Sequence, residues 1–503
     1  MKKKWYEILD STRFAITILL IGYLFIGIGN IQAENEVIKK ILLIFSSTGS
    51  LIKDLFPLGL TLNYIGKNKK DVIPFMGALL CYFLMNVITM VIGDSNYASE
   101  FYCSILGITT STGLKPLNLG VFGSVIIILL VNAAYDLSRK RYNYGFLTFI
   151  DNDAWFLITA FLFTTIASIA VSFGYVYLVS ITSRLMDFIS ANSTNPTVLF
   201  IYGTCEKLGE MFQLENIFKN NFLFGALGGN WIDNAQTVYN GDINIWTAQL
   251  AADSLSVGTG KYTSASYIIN LFAAPSLIIG YYLNITDKID KSRMLGMLLM
   301  GIACSVLTAS PLPIEIVIFL TSPMLYFLHI LLSGFIYMSC GILGIYIGVM
   351  SNVANQSTLC IGTIFEFIHY YSVVNLHQTM LKALIMGIIV FVLYQLLVFV
   401  YYHILAQDFL DSETGKIEVS RFIELLGGIN NIKKITSSSV AITVVLNDRD
   451  KLDVNGLLAD RAYKVTERYY GFIIEYGAGS SSICRKVRKA MQDYQTCLQY
   501  SKK

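Results

Sequence analysis

Residues 381–405 read LKALIMGIIVFVLYQLLVFVYYHIL, twenty-five positions in which Lys382 is the only lysine, arginine, aspartate or glutamate. A helix needs about 20 mostly apolar residues to cross the hydrocarbon core of a bilayer. Working outward from this run, the same criterion selects Phe14–Ile31, Val72–Ile92, Gly120–Asp136, Ala154–Thr182, Ser264–Leu283, Met294–Ala309 and Ile316–Met350. The last of these is long enough for more than one element. Ser47–Ile65 and Val198–Phe212 are weaker candidates, each interrupted by charge. The expected fold is therefore a polytopic α-helical membrane protein of about ten transmembrane helices plus re-entrant or broken segments.

Composition agrees. Of 503 residues, 54% are hydrophobic and 14% charged, against about 25% charged in a soluble domain. The mean hydropathy is +0.57. The net charge of +3 comes without a long basic run, which argues against a nucleic-acid partner. Eight cysteines are scattered without a Cys-x-x-Cys or Cys/His cluster, so neither zinc nor a disulfide framework is expected, and no other cofactor is indicated. The first apolar stretch carries no small-residue cleavage motif and is expected to stay as a span.

Loop charge sets the orientation. The chain opens Met-Lys-Lys-Lys; the following loops carry Glu34 and Glu36, then Lys67, Lys69 and Lys70, then Asp94 and Glu100, then Ser-Arg-Lys-Arg at 138–141. Basic and acidic loops alternate as positive-inside topology requires, which puts both termini in the cytoplasm. Trp5, Trp155, Trp231 and Trp246 read as interfacial anchors.

Two stretches are neither clean spans nor plain loops. Residues 197–262 mix apolar positions with Glu206, Lys207, Glu210, Glu215 and Lys219; residues 351–380 carry Glu366, His369 and His377. Irregular backbone at membrane depth is tolerated only where it is buried in protein or lines a cavity, and transporters place substrate sites in such segments. For 220–262 an ordinary extramembrane loop is the better reading. After a polar linker at 408–416, residues 417–503 read as a small soluble α/β domain. A helix at Val419–Leu426 ends at Gly427-Gly428, a strand follows at Val440–Leu446, a short helix at Asp453–Arg461, a strand at Gly471–Tyr476 and a helix at Ser480–Gln495.

Three membrane-region motifs and the tail carry a family resemblance. Residues 310–327, SPLPIEIVIFLTSPMLYF, followed by LHILLSGF, resemble a Thr-Glu-Pro-Ile-Glu-Phe segment that leads to Pro-x-Leu-Tyr and a histidine. Residues 198–217, VLFIYGTCEKLGEMFQLENI, resemble an IYGFIERxLxPFGLHHI stretch without a gap, and residues 272–282, FAAPSLIIGYY, resemble FGLPAAALAMY. All are motifs of the glucose–maltose–N-acetylglucosamine superfamily of bacterial phosphotransferase-system sugar permeases (EIIC), and residues 417–493 resemble that family's fused EIIB domain. The resemblance implies an EIIC-like transport domain at 1–407 in the bacterial cytoplasmic membrane, binding a sugar or sugar-like solute, and a homodimer. In the family the EIIB cysteine, charged by carrier proteins, phosphorylates the sugar.

The departures bear on mechanism. Aligning Asn431-Ile432 puts Ser438 at the phosphocysteine position, and the family's Cys-Ile-Thr-Arg-Leu-Arg becomes Ser438-Ser439-Val440-Ala441-Ile442-Thr443. A serine hydroxyl is protonated at neutral pH and nothing nearby activates it, so no catalytic residue is assigned. In the sugar site, Lys207 stands for an arginine, Glu215 and Asn216 for two histidines, and Leu312 for the first glutamate, while Pro313, Glu315 and His329 persist. Lys207, Glu215, Asn216, Glu315, Glu206 and His329 are the candidate substrate-binding residues, with no metal. For Glu315, ligand contact and a structural carboxylate are equally weighted; for Glu206 and Lys207 a structural ion pair leads; for His329 a hydrogen-bonded packing role leads. Three functions remain open: a permease without its own phosphoryl transfer, a group translocator using an EIIB domain from another chain, and a membrane sugar sensor; the resemblance implies the phosphotransferase carrier proteins or a separate EIIB as protein partners.

Overall fold

A computed structural model of the protein describes residues 2–31, 35–69, 71–92, 117, 119–139, 151–284, 288–349, 360–402, 419–438, 441–460, 462–476 and 480–500. The expected linker at 408–416 lies outside the described residues, as does the side chain of Trp5.

Among the described residues, the first five helices are α1 (Lys2–Gly29), α2 (Glu36–Lys69), α3 (Val72–Ile92), α4 (Gly120–Arg139) and α5 (Asn152–Ala191). Parts of α2–α5 enclose one apolar core that includes Ile65, Cys81, Met85, Ile127, Val131 and Phe156. Lys69 meets Asp136 at 2.7 Å, and Arg139 meets Asp71 at 3.2 Å and Asp153 at 3.6 Å. The two expected basic loops thus share one end of this bundle. The Ile73 N–H bonded to the Asp71 carboxyl, with Tyr135 and Arg139 beside it, holds that carboxyl below its ordinary range.

The second bundle begins with α6 (Pro196–Met211), α7 (Glu215–Leu223), a short hairpin of β1 (Asn230–Ile232) and β2 (Val238–Asn240), and α8 (Asp242–Ala251). It continues with α9 (Ser264–Leu283), α10 (Lys288–Thr308), α11 (Leu312–Thr321), α12 (Pro323–Leu343), α13 (Ile364–Ser372) and α14 (His377–Val400). Asn195 caps α6 by accepting from Thr197 N, with Pro196 at the first helical position. Among the described residues, seven helical segments are long and apolar enough to cross a membrane: Glu36–Lys69, Val72–Ile92, Gly120–Arg139, Asn152–Ala191, Ser264–Leu283, Pro323–Leu343 and Val374–Val400. Phe14–Gly29 and Leu295–Thr308 are shorter apolar helices.

Two features interrupt the helices at the centre of this bundle. The apolar run 316–350 breaks at Ser322, whose φ of −146° is extended. Pro323 follows; it disfavours helical geometry in the residue before it and supplies no N–H to continue α11, so α12 starts afresh. In α9, Ile269–Ala273 form a π turn just before Pro275, a widening that recurs at functional sites. Helices α6 and α12 approach closely through glycine. A Cβ on Gly203 would lie 2.2 Å from Tyr337 Cδ2, and one on Gly334 2.2 Å from Thr204 Oγ1.

The stretch 220–262 is an ordered layer, with Ile243, Trp246 and Tyr262 buried in the main core. Trp246 is therefore not the interfacial anchor expected: it is 2% exposed and its Nε1 donates to Tyr370 OH at 3.1 Å.

The C-terminal residues fold around α15 (Val419–Leu425), β3 (Ile432–Ser437), β4 (Ala441–Leu446), α16 (Val454–Ala459), β5 (Lys464–Arg468), β6 (Gly471–Glu475) and α17 (Ser480–Tyr500). The strands form an antiparallel sheet of order β3-β4-β6-β5. Its core includes Phe422, Leu426, Ile442, Val444, Ile474 and Val487. Gly427 and Gly428, at φ +84° and +92°, close α15 by donating to the Glu424 and Ile423 carbonyls. Strands β3 and β5 were not expected from the sequence; the consecutive Lys433 and Lys434 of β3, and Lys464, Glu467 and Arg468 of β5, mask the apolar alternation.

Candidate functional site

Helices α6 and α12 lie side by side and present complementary polar stripes. On α6, Gly203, Glu206, Lys207 and Glu210 recur at spacings that keep them on one face. On α12, Tyr326, His329, Ser333 and Tyr337 do the same. The first turn of α11 adds Glu315.

These side chains form two linked clusters. In the deeper one, Lys207 Nζ lies 2.7 Å from Glu315 Oε1 and 3.0 Å from Glu210 Oε2. His329 Nε2 approaches Glu315 Oε1 at 3.1 Å, and Tyr326 OH donates to Oε2 at 3.3 Å. An ionised carboxylate only accepts, so the proton of that His329 bond resides on Nε2. His329 Nδ1 meets Tyr394 OH of α14 at 2.8 Å. Lys207, Glu315 and His329 are all buried, so the ion pair and its hydrogen bonds replace the water these charges lose. In the outer cluster Glu206 accepts a short hydrogen bond from Tyr337 OH and pairs with Lys219 of α7 at 3.4 Å.

Beside these clusters opens a cavity of about 900 Å³, its mouth included. Lys53 of α2, Glu206, Lys207, Glu210, Lys219 and Tyr337 line it. Asn270, in the π turn of α9, lines it too, and its side-chain amide donates to Ile361 O at 2.9 Å. Ser305 of α10 fastens the turn by donating to the Asn270 carbonyl at 2.6 Å. The π turn of α9 and the α10–α11 connection at Thr308, Ala309 and Ser310 thus border a space walled by ammonium, carboxylate, phenol and amide groups. Such a wall offers both donors and acceptors at short range, the requirement for a polyhydroxylated solute whose hydroxyls lose their water on binding.

Of the residues singled out in the sequence, Glu206 and Lys207 line the cavity. Glu315 and His329 stand behind Lys207 and fix its position. The side chains of Glu215 and Asn216 lie outside the described residues. Lys53 and Tyr337 were not anticipated. Lys53 is one of the charges that interrupt Ser47–Ile65, but nothing local ties that distant helix to this cavity. Tyr337, eight residues after His329, shares its helical face, and that spacing was a usable sign. Glu210 and Lys219 were visible as charges in an apolar stretch but had no role assigned.

In the C-terminal fold, Ser438 is 2% exposed. Its N–H donates to Ala441 O at 2.7 Å, and its Oγ accepts from Ala441 N at 3.0 Å. The hydroxyl thus closes the β3–β4 connection. Ser439 and Val440 lie outside the described residues. Cys484 of α17 is 1% exposed, and burial pushes its thiol pKa up, against the smaller opposing effects of Arg488 and Ser437. No protein-family model matches the chain.

Proposed function

We propose that this protein is a sugar permease of the phosphotransferase EIIC type, with about ten membrane passes including broken segments, that moves its solute without phosphorylating it. The single observation that carries the reading is the cavity walled by Glu206, Lys207, Glu210 and Lys219 beside the π turn of α9, with Glu315 holding Lys207 in place. Glu206, Lys207, Glu210 and Glu315 fall on the segments whose sequence resembles the family's sugar-binding motifs. The absence of phosphoryl transfer is supported by Ser438, whose hydroxyl is turned into a closed backbone connection. Transfer needs an accessible nucleophile and cationic compensation for the incoming phosphate, and Ala441 and Thr443 stand where the family has arginines.

In this reading residues 1–407 are the transport domain, 417–503 the EIIB-like domain, and the basic loops at 67–70 and 138–141 face the cytoplasm of a bacterial cell, together with both termini. The shared end of the two loops, joined by Lys69–Asp136 and Arg139–Asp71, is consistent with that placement.

The test is uptake by the purified chain in proteoliposomes across a panel of radiolabelled sugars, with and without phosphoenolpyruvate and the carrier proteins. Uptake of at least one sugar, recovered unphosphorylated in both conditions, is expected. Phosphorylated product, or label on Ser438, would overturn the loss of chemistry. Saturable binding with no uptake would replace the permease by a sensor.

A further inference from the structure

The C-terminal fold concentrates positive charge. Residues 417–503 hold fourteen Lys and Arg against nine Asp and Glu, a balance of +5 within a chain whose total is +3. The excess is not spread evenly. Helix α17 exposes Arg485, Lys486, Arg488 and Lys489 within two turns. It packs against β3, one of the two outer strands of the sheet, where Lys433 and Lys434 are also exposed. A register irregularity between Ile432 and Lys434 accompanies the consecutive exposure of these two lysines. Arg488 ties helix to strand, its Nε and Nη2 donating to Ile435 O at 3.1 and 2.9 Å. The six cations therefore belong to one rigid unit rather than to separate solvated faces.

We propose that this basic face of α17 and β3 docks the domain onto the anionic headgroups of the bilayer that the chain itself spans. The chemistry is charge complementarity: clustered lysine and arginine next to a membrane span are attracted to anionic lipid over roughly a Debye length. The choice of a lipid surface over a soluble acidic partner rests on the tether. Sixteen residues, 403–418, separate the last described residue of the membrane helices from α15. Fully extended they reach no more than about 60 Å, so the headgroups are always within range and act as an intramolecular partner. Lysines on an unpaired outer strand also deter edge-to-edge association, but that role calls for neither the α17 cations nor their union with β3 through Arg488. The inference does not depend on whether the protein transports a sugar.

The experiment uses the full chain in nanodiscs of phosphatidylcholine alone or mixed with phosphatidylglycerol, with a photo-crosslinking benzoylphenylalanine at position 492, an exposed site on α17. Lipid adducts, read by mass spectrometry, are expected to rise at least about ten-fold in the phosphatidylglycerol discs and to fall back when salt is raised. The variant Lys433→Glu/Lys434→Glu/Arg485→Glu/Lys489→Glu, which leaves the Arg488 bond in place, is expected to lose the same increment. Equal adduct yields in the two lipids, or yields indifferent to salt in the unsubstituted chain, would overturn the proposal whether or not the variant folds. Adducts to a co-purified acidic protein in place of lipid would also overturn it.

Discussion

Replacing Lys207 by methionine isolates what the buried cluster contributes. At 2.7 Å the Lys207–Glu315 pair has a Coulomb attraction of about 6 kcal/mol at an effective dielectric of 20, a gain that the desolvation of two ions, several kcal/mol each, largely cancels. The pair as a whole is therefore close to neutral against an apolar replacement, but half a pair is not. Lys207→Met leaves the Glu315 carboxylate buried with only His329 and Tyr326 as partners, and the expected cost is about 3–5 kcal/mol. Glu315→Leu strands the Lys207 ammonium with Glu210 alone, and the cost is expected to be similar. The double variant Lys207→Met/Glu315→Leu removes both charges, and its loss should be smaller than the sum of the singles by about 2 kcal/mol or more. Reversible unfolding of the four proteins in mixed micelles completes the cycle. Losses that add to within about 0.5 kcal/mol would refute the reasoning, because the two groups would then not be stabilising each other.

Other outcomes follow from the same geometry. Tyr337→Phe deletes the donor to Glu206, so a stability loss of about 1.5–3 kcal/mol is expected in the same assay, together with weaker solute binding by calorimetry. Gly203→Ala drives a methyl into the Tyr337 ring and should cost about 1–3 kcal/mol; an unchanged unfolding midpoint would show that α6 and α12 can move apart. Cys484 is expected to resist maleimide at neutral pH until denaturant is added, since its thiol is buried and held protonated by that burial. Mass spectrometry of the natively labelled protein reads this directly. Ser438→Cys alone should accept no phosphoryl group from phosphoenolpyruvate and the carriers, because Ala441 and Thr443 supply no cation; stoichiometric label would contradict this.

The sequence made the helical, membrane-spanning character legible because length and apolarity are local properties. It marked Glu206, Lys207 and Glu315 because an ionisable group in an apolar run stands out one residue at a time. It brought Lys207 and Glu315 to one internal cavity, between the 197–217 and 310–330 segments, only through the family resemblance, since the two are 108 positions apart and nothing local encodes the approach of α6 to α11. The helix break at Ser322 was within reach, as Pro323 follows it, but the apolar run on both sides concealed it. Trp246 misled because tryptophan is as much at home in a core, given a partner for its N–H, as at an interface. Strand β3 was missed because Lys433 and Lys434 stand side by side at the register irregularity, where the alternation of period two is lost.

Helix α5 has a mechanical consequence. Its forty residues make a rod of about 60 Å, twice the thickness of a hydrocarbon core. One end is embedded in the first bundle through Phe156 and Ala160, and the other in the second through Met186 and Ile189. Between them, residues 176–184 bury no side chain fully, with 179, 182 and 183 half-buried, so the middle of the rod is a lightly packed span between two anchorages. A strut of this kind transmits tilt: when one bundle rocks, that span carries the angle across to the other, and the separation of the two anchorages along the rod stays constant. The rod is one of several ties between the bundles: Leu19 and Leu20 of α1 and Phe56 of α2 are also buried in the second core, and Phe122 of α4 stacks on Phe212 at the end of α6, so a tilt carried by α5 has to be matched at those contacts.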